Sequence, residues 1–189
     1  MIKIIGGNKK GYMLSVPKGN LVRPTSGMKK QAVFNILTSR YLKIGDTDLF
    51  SKKIVLDAFA GIGGLGLEAL SRGAAFCYFV EKSNLTIKYL NNNCLKTLNV
   101  DEFKVLHSRY NELDLNHIDK GLDIIFFDPP YDYKISTKTF DIISSKINKN
   151  AIFIVETSKT RIVPKIDYLN VIDERFFGRT KISFMTFAS

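Results

Sequence analysis

The 189-residue chain predicts an α/β fold, a mostly parallel sheet covered by helices on both faces. Three observations lead there. Between residues 54 and 158, short apolar runs alternate with stretches of helical periodicity. The runs "IVLDAF", "AFCYFVE", "DIIFFD" and "AIFIVETS" are nearly continuous in apolar side chains, as parallel strands buried on both faces must be. The tail "YLNVIDERFFGRTKISFMTF" differs, with two apolar runs around Gly178, the pattern of a closing antiparallel hairpin.

The elements follow in order. "KIIGG" and "YMLSVP", joined by "NKKG", read as a small hairpin. "RPTSGMKKQAVFNILTSRYL" reads as a helix, with Ser26 as N-cap and Ala32, Val33, Ile36 and Leu37 on one face. Residues 43–53 are a polar connection. A strand at 54–59 leads into a helix at 65–73 that Gly73 stops, and a strand at 75–81 into a helix at 83–99. Ser83 caps that helix, and Ile87, Leu90, Cys94 and Leu98 recur at its period. Strands at 103–108 and 123–128 flank a short helical piece at 110–119. "KTFDIISSKI" is again helical, and 151–158 is the next strand.

Composition narrows the class. Apolar content of 45% with 24% charged residues is that of a soluble globular protein. No apolar run approaches the roughly 18–20 residues that span a bilayer. Gly6, Gly7 and Asn8 interrupt any secretory h-region, so a cytoplasmic protein is expected. Cys77 and Cys94 fit no metal-ligand spacing and read as reduced and buried, and no metal is expected.

The net charge of +10 is unevenly placed. Residues 1–45 hold nine of the 28 bases and none of the 18 acids, so the remainder is close to neutral. A clustered basic segment is the footprint of a polyanion contact, with a solvated surface or a targeting segment as the alternatives. The chain thus divides into a basic hairpin and helix (1–45) and a main domain (46–189).

"LDAFAGIGGLG" sets Gly61, Gly63 and Gly66 in the G-x-G-x-x-G spacing between a strand and a helix, and Glu81 ends the next strand. A dinucleotide would bring its pyrophosphate against Asp57, which is unfavourable. S-adenosylmethionine carries a sulfonium and an ammonium and no phosphate, so the carboxylate suits it. Asp57, Phe59, Gly61 and Gly63 are its candidate contacts, and Glu81 accepts from the ribose hydroxyls.

"FFDPPY" ends the fourth strand, and its prolines stop that strand at Asp128. A methyl group on sulfonium is already activated, so the enzyme has to aim a nucleophile at it. The exocyclic amine of a purine is poor in that role because its lone pair is delocalised. Two acceptors on its N–H bonds free the lone pair. Asp128 supplies one, and a backbone carbonyl held rigid by Pro129 and Pro130 the other. Tyr131 offers a ring on which an unstacked base can lie.

With these residues in hand the chain resembles the RsmD family, bacterial 16S ribosomal RNA (guanine-N2)-methyltransferases. The resemblance rests on "IIGG" (4–7), "VPKG" (16–19), "RPT" (23–25), "FNIL" (34–37), "DAFAGIGGLGLEALSRGA" (57–74) and "FFDPPY" (126–131). It implies a Rossmann-like class I methyltransferase, a seven-stranded sheet with a closing antiparallel hairpin, and a small N-terminal hairpin and helix extension. It also implies methyl transfer to the 2-amino group of a guanine in the head of the small ribosomal subunit; a monomer acting on that subunit or its assembly intermediate is expected. Lys9, Lys10, Arg23, Thr25, Lys29 and Lys30 are then the candidate RNA contacts. Where the family has threonine, aspartate, arginine and a later glutamate after RPT, this chain has Ser26, Gly27, Met28 and Gln31. Ser108 and Arg109 stand where an Asp or Asn commonly meets the adenine, leaving Ser108 as the candidate contact. The alternatives are an adenine-N6 methyltransferase, which would be expected to need a target-recognition insertion, and a non-catalytic RNA-binding module.

Overall fold

Apolar runs bounded by glycines and acids become seven strands of one sheet in the computed structural model, which describes residues 2–17, 27–42, 49–130 and 132–187. The strands are β1 (Ile54–Asp57), β2 (Phe76–Glu81), β3 (Phe103–His107), β4 (Leu122–Phe127), β5 (Ile147–Ser158), β6 (Leu169–Phe177) and β7 (Thr180–Phe187). Their order across the sheet is β3-β2-β1-β4-β5-β7-β6. The first five run parallel, and β7 pairs antiparallel with both β5 and β6. The chain winds outward from β1 in both directions, so β1 and β4 form the switch point where such sheets bind ligands.

Period-two alternation divides the strand side chains between two cores. Val55, Phe79, Phe126 and Ile154 enter one, against helices α1 (Gly27–Leu42), α2 (Gly66–Ser71) and α3 (Asn84–Thr97). Leu56, Tyr78, Phe127 and Val155 enter the other, with Tyr110, Phe140 and Ile143. Ser83 caps α3 as expected, its side chain accepting from Thr86 N–H. Both cysteines are buried and free. Among the described residues no helix is long and apolar enough to cross a membrane.

The basic N-terminal segment shares the first core through Ile4, Leu14, Val33, Phe34 and Leu37. Its hairpin is shorter than expected, with a single bridge between Lys3 and Met13. Ile4 N–H still donates to Tyr12 O and Leu14 N–H to Ile2 O across it (both 2.9 Å), while other backbone donors turn to α2. Asn8 N–H donates to Ser71 O (2.7 Å), Lys9 N–H to Ser71 Oγ (2.9 Å) and Ile5 N–H to Glu68 Oε2 (2.8 Å), all on α2. The N-cap expected at Ser26 lies outside the described residues.

Two helical expectations change. The piece at 110–119 is a pair of 3-10 turns, Tyr110–Glu112 and Leu115–His117, because the Asp114 side chain accepts from Asn116 N–H and restarts the chain there. The helix expected at 138–147 reduces to α4 (Thr137–Asp141) and a 3-10 turn at Ser144–Lys146, where Ser144 Oγ donates to Asp141 O at 2.8 Å. Residues 147–150 join β5 instead.

Candidate active site

Four adjacent parallel strands each present an acid at the C-terminal edge: Glu81 on β2, Asp57 on β1, Asp128 just after β4 and Glu156 on β5. Alternation from Phe79, Val55, Phe126 and Ile154 puts all four on the face of the first core. They line one cleft of about 680 Å³ together with Phe59, Gly61 and Ser108.

The glycine loop forms one wall. Gly61 and Gly63 take φ of +55° and +90°, conformations that residues with a Cβ rarely adopt. Gly61 lines the cleft, whereas Gly63 stands back from it and shapes the turn. At Gly66 a Cβ would collide with the Phe79 ring, so this glycine lets α2 lie close on β2. Asn93, 1% exposed, ties the loop to the N-terminal segment by donating to Ile62 O (3.0 Å) and Ser15 O (3.1 Å).

Both acids at the loop are also held by it. Glu81 accepts from Gly61 N–H through Oε2 (2.9 Å) and from Ser83 N–H through Oε1 (2.7 Å). Each carboxylate oxygen keeps a second lone pair for a ligand. Asp57 accepts from Gly66 N–H at 2.9 Å and is 2% exposed. Burial raises its pKa to about 7, opposed by the Gly66 hydrogen bond and reinforced by the Glu81 charge. Ser108 lies at the rim, its Oγ donating to Arg109 O at 2.8 Å.

The opposite wall is the segment after β4. Asp128 is half-buried, Pro129 buried and Pro130 exposed, and Tyr133 N–H donates to Pro130 O at 3.0 Å to close the turn. Tyr131 lies outside the described residues, as do Arg23 and Thr25. The Phe59 ring packs edge-on to Tyr133 (5.0 Å) and Phe127 (4.9 Å) and tilted on Tyr110 (5.4 Å). That cluster joins the glycine-loop side of the cleft to the DPP segment.

The family model described as Conserved hypothetical protein 95 matches residues 2–186. Ribosomal RNA small subunit methyltransferase D of Buchnera aphidicola is 35% identical over 168 residues, covering 87% of this chain and 83% of that one. The protein of the same name from Escherichia coli is 31% identical over 87% of this chain and 79% of its own. Among solved structures, the yhhF protein of Escherichia coli superposes with a TM-score of 0.79 at 26% identity, covering 98% and 97% of the two chains. The chain belongs to the RsmD family.

In this RsmD-family chain the basic residues divide by location. Lys9 and Lys10 are exposed at the hairpin turn. Lys30, expected at an RNA surface, is instead a core cation, 2% exposed. Its Nζ donates to Lys3 O at 2.7 Å and lies 3.1 Å from Glu68 Oε2. Burial lowers its pKa and Glu68 opposes that shift. Lys29 turns into the cleft, its Nζ donating to Glu156 Oε1 (2.6 Å) and Thr180 Oγ1 (2.8 Å).

Sequence reasoning missed two residues that line this cleft, Glu156 and Tyr133, and one buried acid outside it, Glu68. An acid ending "IFIVE" beside a DPPY strand is a signal for the first. A charge inside the apolar helix "LGLEAL" is one for Glu68. Tyr133 had none, because its ring is placed by tertiary packing on Phe59.

Proposed function

We propose that this protein transfers the methyl group of S-adenosylmethionine to the 2-amino group of a guanine in 16S rRNA of the small ribosomal subunit. The observation that carries this reading is the meeting, in one cleft, of the glycine loop and its acids with Asp128 and its two prolines. The residues fit the cofactor's chemistry: Glu81 toward the ribose hydroxyls, and Asp57 toward the cationic methionine end beside Phe59 and Gly61. S-adenosylmethionine supplies a methyl group activated by its sulfonium. Asp128 and a neighbouring carbonyl would accept hydrogen bonds from the two amine N–H groups and free the nitrogen lone pair for attack, and the proton that the methylated amine sheds would pass to solvent. Tyr131 stacks the unstacked base. The family relationship supports this reading over an adenine-N6 activity or a binding module, and the exposed Lys9 and Lys10 agree with an RNA substrate. The test is methyl transfer to undermethylated small subunits with mass mapping of the product. One modified guanine is expected, and a modified adenine or no transfer overturns the reading.

Two results are expected at the cofactor end. Glu81→Gln keeps the volume but loses the charge and sets an NH2 against the Gly61 or Ser83 N–H donor. Cofactor affinity should weaken about tenfold or more, in line with roughly 1.5–3 kcal/mol for charged hydrogen bonds. The same contacts exist in ground and transition states, so KM should rise more than kcat falls. Isothermal titration with unchanged affinity would remove Glu81 from the ribose. The second result is a pH dependence. Asp57 with a raised pKa of about 7 is mostly protonated at pH 6, and a cationic ligand binds its ionised form. Cofactor affinity should therefore rise through neutrality, by about tenfold from pH 6 to pH 8. The fold alone behaves oppositely: the native state holds this proton more tightly than the unfolded chain, so Asp57 makes the unliganded protein less stable as pH rises from about 4 to 7. A flat affinity profile would separate Asp57 from the cation.

Lys9 and Lys10 test the RNA surface alone. Replacing both with Glu should leave cofactor binding intact and cost the fold no more than about 0.5 kcal/mol per site, since both are exposed. RNA affinity should fall, and the log–log salt slope should shrink by roughly 0.7–0.9 for each phosphate that the turn no longer neutralises. Wild-type affinity and slope on the undermethylated subunit would show that this turn does not touch RNA.

A further inference from the structure

Three of the four acids at the strand ends have work in the reaction above, and Glu156 has none. Val155 pairs with Phe127 at the end of β4, so Glu156 on β5 and Asp128 just past β4 follow as neighbours. Their backbones are about 4.8 Å apart at that spacing, and their side chains share a face. The Glu156 side chain is 13% exposed and that of Lys29 16%, and both line the cleft that Asp128 lines. Their 2.6 Å contact and the Lys29 bond to Thr180 hold a carboxylate and an ammonium in fixed places beside the proposed amine-binding acid. Val33, Phe34 and Leu37 also seat α1 in the core.

We infer that the Glu156–Lys29 pair reads the target base as guanine, an assignment that rests on the reading above and sharpens it. Beside its 2-amino group, the edge of guanine presents the N1–H donor and then the O6 acceptor. With the amine at Asp128, the carboxylate one strand away accepts from N1–H and the ammonium donates to O6. That matches the usual way in which an unstacked base is read, by hydrogen bonds along its Watson–Crick edge. Adenine brought in by its 6-amino group turns the bare N1 lone pair toward Glu156. 2,6-Diaminopurine has the correct 2-amino group but a bare N1, and an amino group where Lys29 needs an acceptor. A site built on buried polar partners rejects such mismatches strongly, because those partners are left unpaired.

The experiment uses small subunits reconstituted with 16S rRNA that carries guanine or 2,6-diaminopurine at the mapped position. The wild-type protein should favour guanine by at least about 100-fold in kcat/KM, within what hydrogen-bonding sites achieve. In Glu156→Gln the side-chain amide can donate to a bare N1, so the ratio should fall to about tenfold or less. Lys29→Met, a second and independent variant, should lower the ratio by removing the O6 donor. Cofactor titration checks that both variants retain the folded cofactor site. If both variants lose turnover equally on the two bases, leaving the ratio unchanged, the pair is only a structural tie and the inference fails. Wild-type transfer to an adenine instead overturns the reading beneath it, and the inference with it.

Discussion

Asp128→Ala loses at least about 100-fold in turnover while S-adenosylmethionine affinity stays near that of the wild type, the size expected for removing one oriented electrostatic contact. The expectation follows from position. Asp128 stands just beyond β4 at the switch point, where Asp57 on β1 lies alongside Phe126 in the register of the two strands. Its side chain therefore enters the cleft between the glycine loop and Glu156. The proposed contact is to the amine, whose nitrogen changes toward tetrahedral only as the methyl group is transferred, so kcat falls and cofactor binding does not. Asp128→Asn keeps an acceptor oxygen and should retain partial activity. Single-turnover methylation with excess enzyme measures the chemical step, and calorimetry measures the cofactor. Near-normal single-turnover rates in Asp128→Ala would end the amine-acceptor role.

Glu68→Ala should destabilise the protein by about 3–5 kcal/mol, the range for removing one partner from a buried ion pair. Glu68 is completely buried inside α2. Its Oε2 accepts from Ile5 N–H (2.8 Å) and faces Lys30 Nζ (3.1 Å), and its Oε1 accepts from Arg72 Nε (3.0 Å). The Arg72 guanidinium in turn lies 4.8 Å over the Phe34 ring of α1. One carboxylate therefore joins the N-terminal hairpin, α1 and α2. Without it, the Lys30 ammonium and the Ile5 N–H stay buried with part of their partners gone. Glu68→Gln, which preserves volume and one acceptor, should cost less. Urea unfolding monitored by circular dichroism measures the shift in midpoint. A midpoint near that of the wild type would show that apolar packing alone holds the basic segment in place.

The fold, and the residues that it gathers in one cleft at the glycine loop and the DPP stop, were legible in the amino-acid order. Parallel strands announce themselves by continuous apolar runs, and the closing hairpin by two runs around Gly178, because burial on both faces leaves no room for polar side chains. The glycine spacing, Asp57, Glu81 and the DPP stop are local in sequence, and the positive φ angles of Gly61 and Gly63 follow from the turn they must make. Short helices were less legible, since polar side chains such as Asp114 and Ser144 compete for backbone groups and end them early. What tertiary structure alone decided is where each charge stands. Adjacent along α1, Lys29 and Lys30 reach different acids far away in the chain, Glu156 on β5 and Glu68 on α2. Nothing local distinguishes those two lysines from the exposed pair at 9 and 10. The packing of α1 on the sheet turns one into the cleft and buries the other, because a buried cation is stable only where the fold brings it a carboxylate.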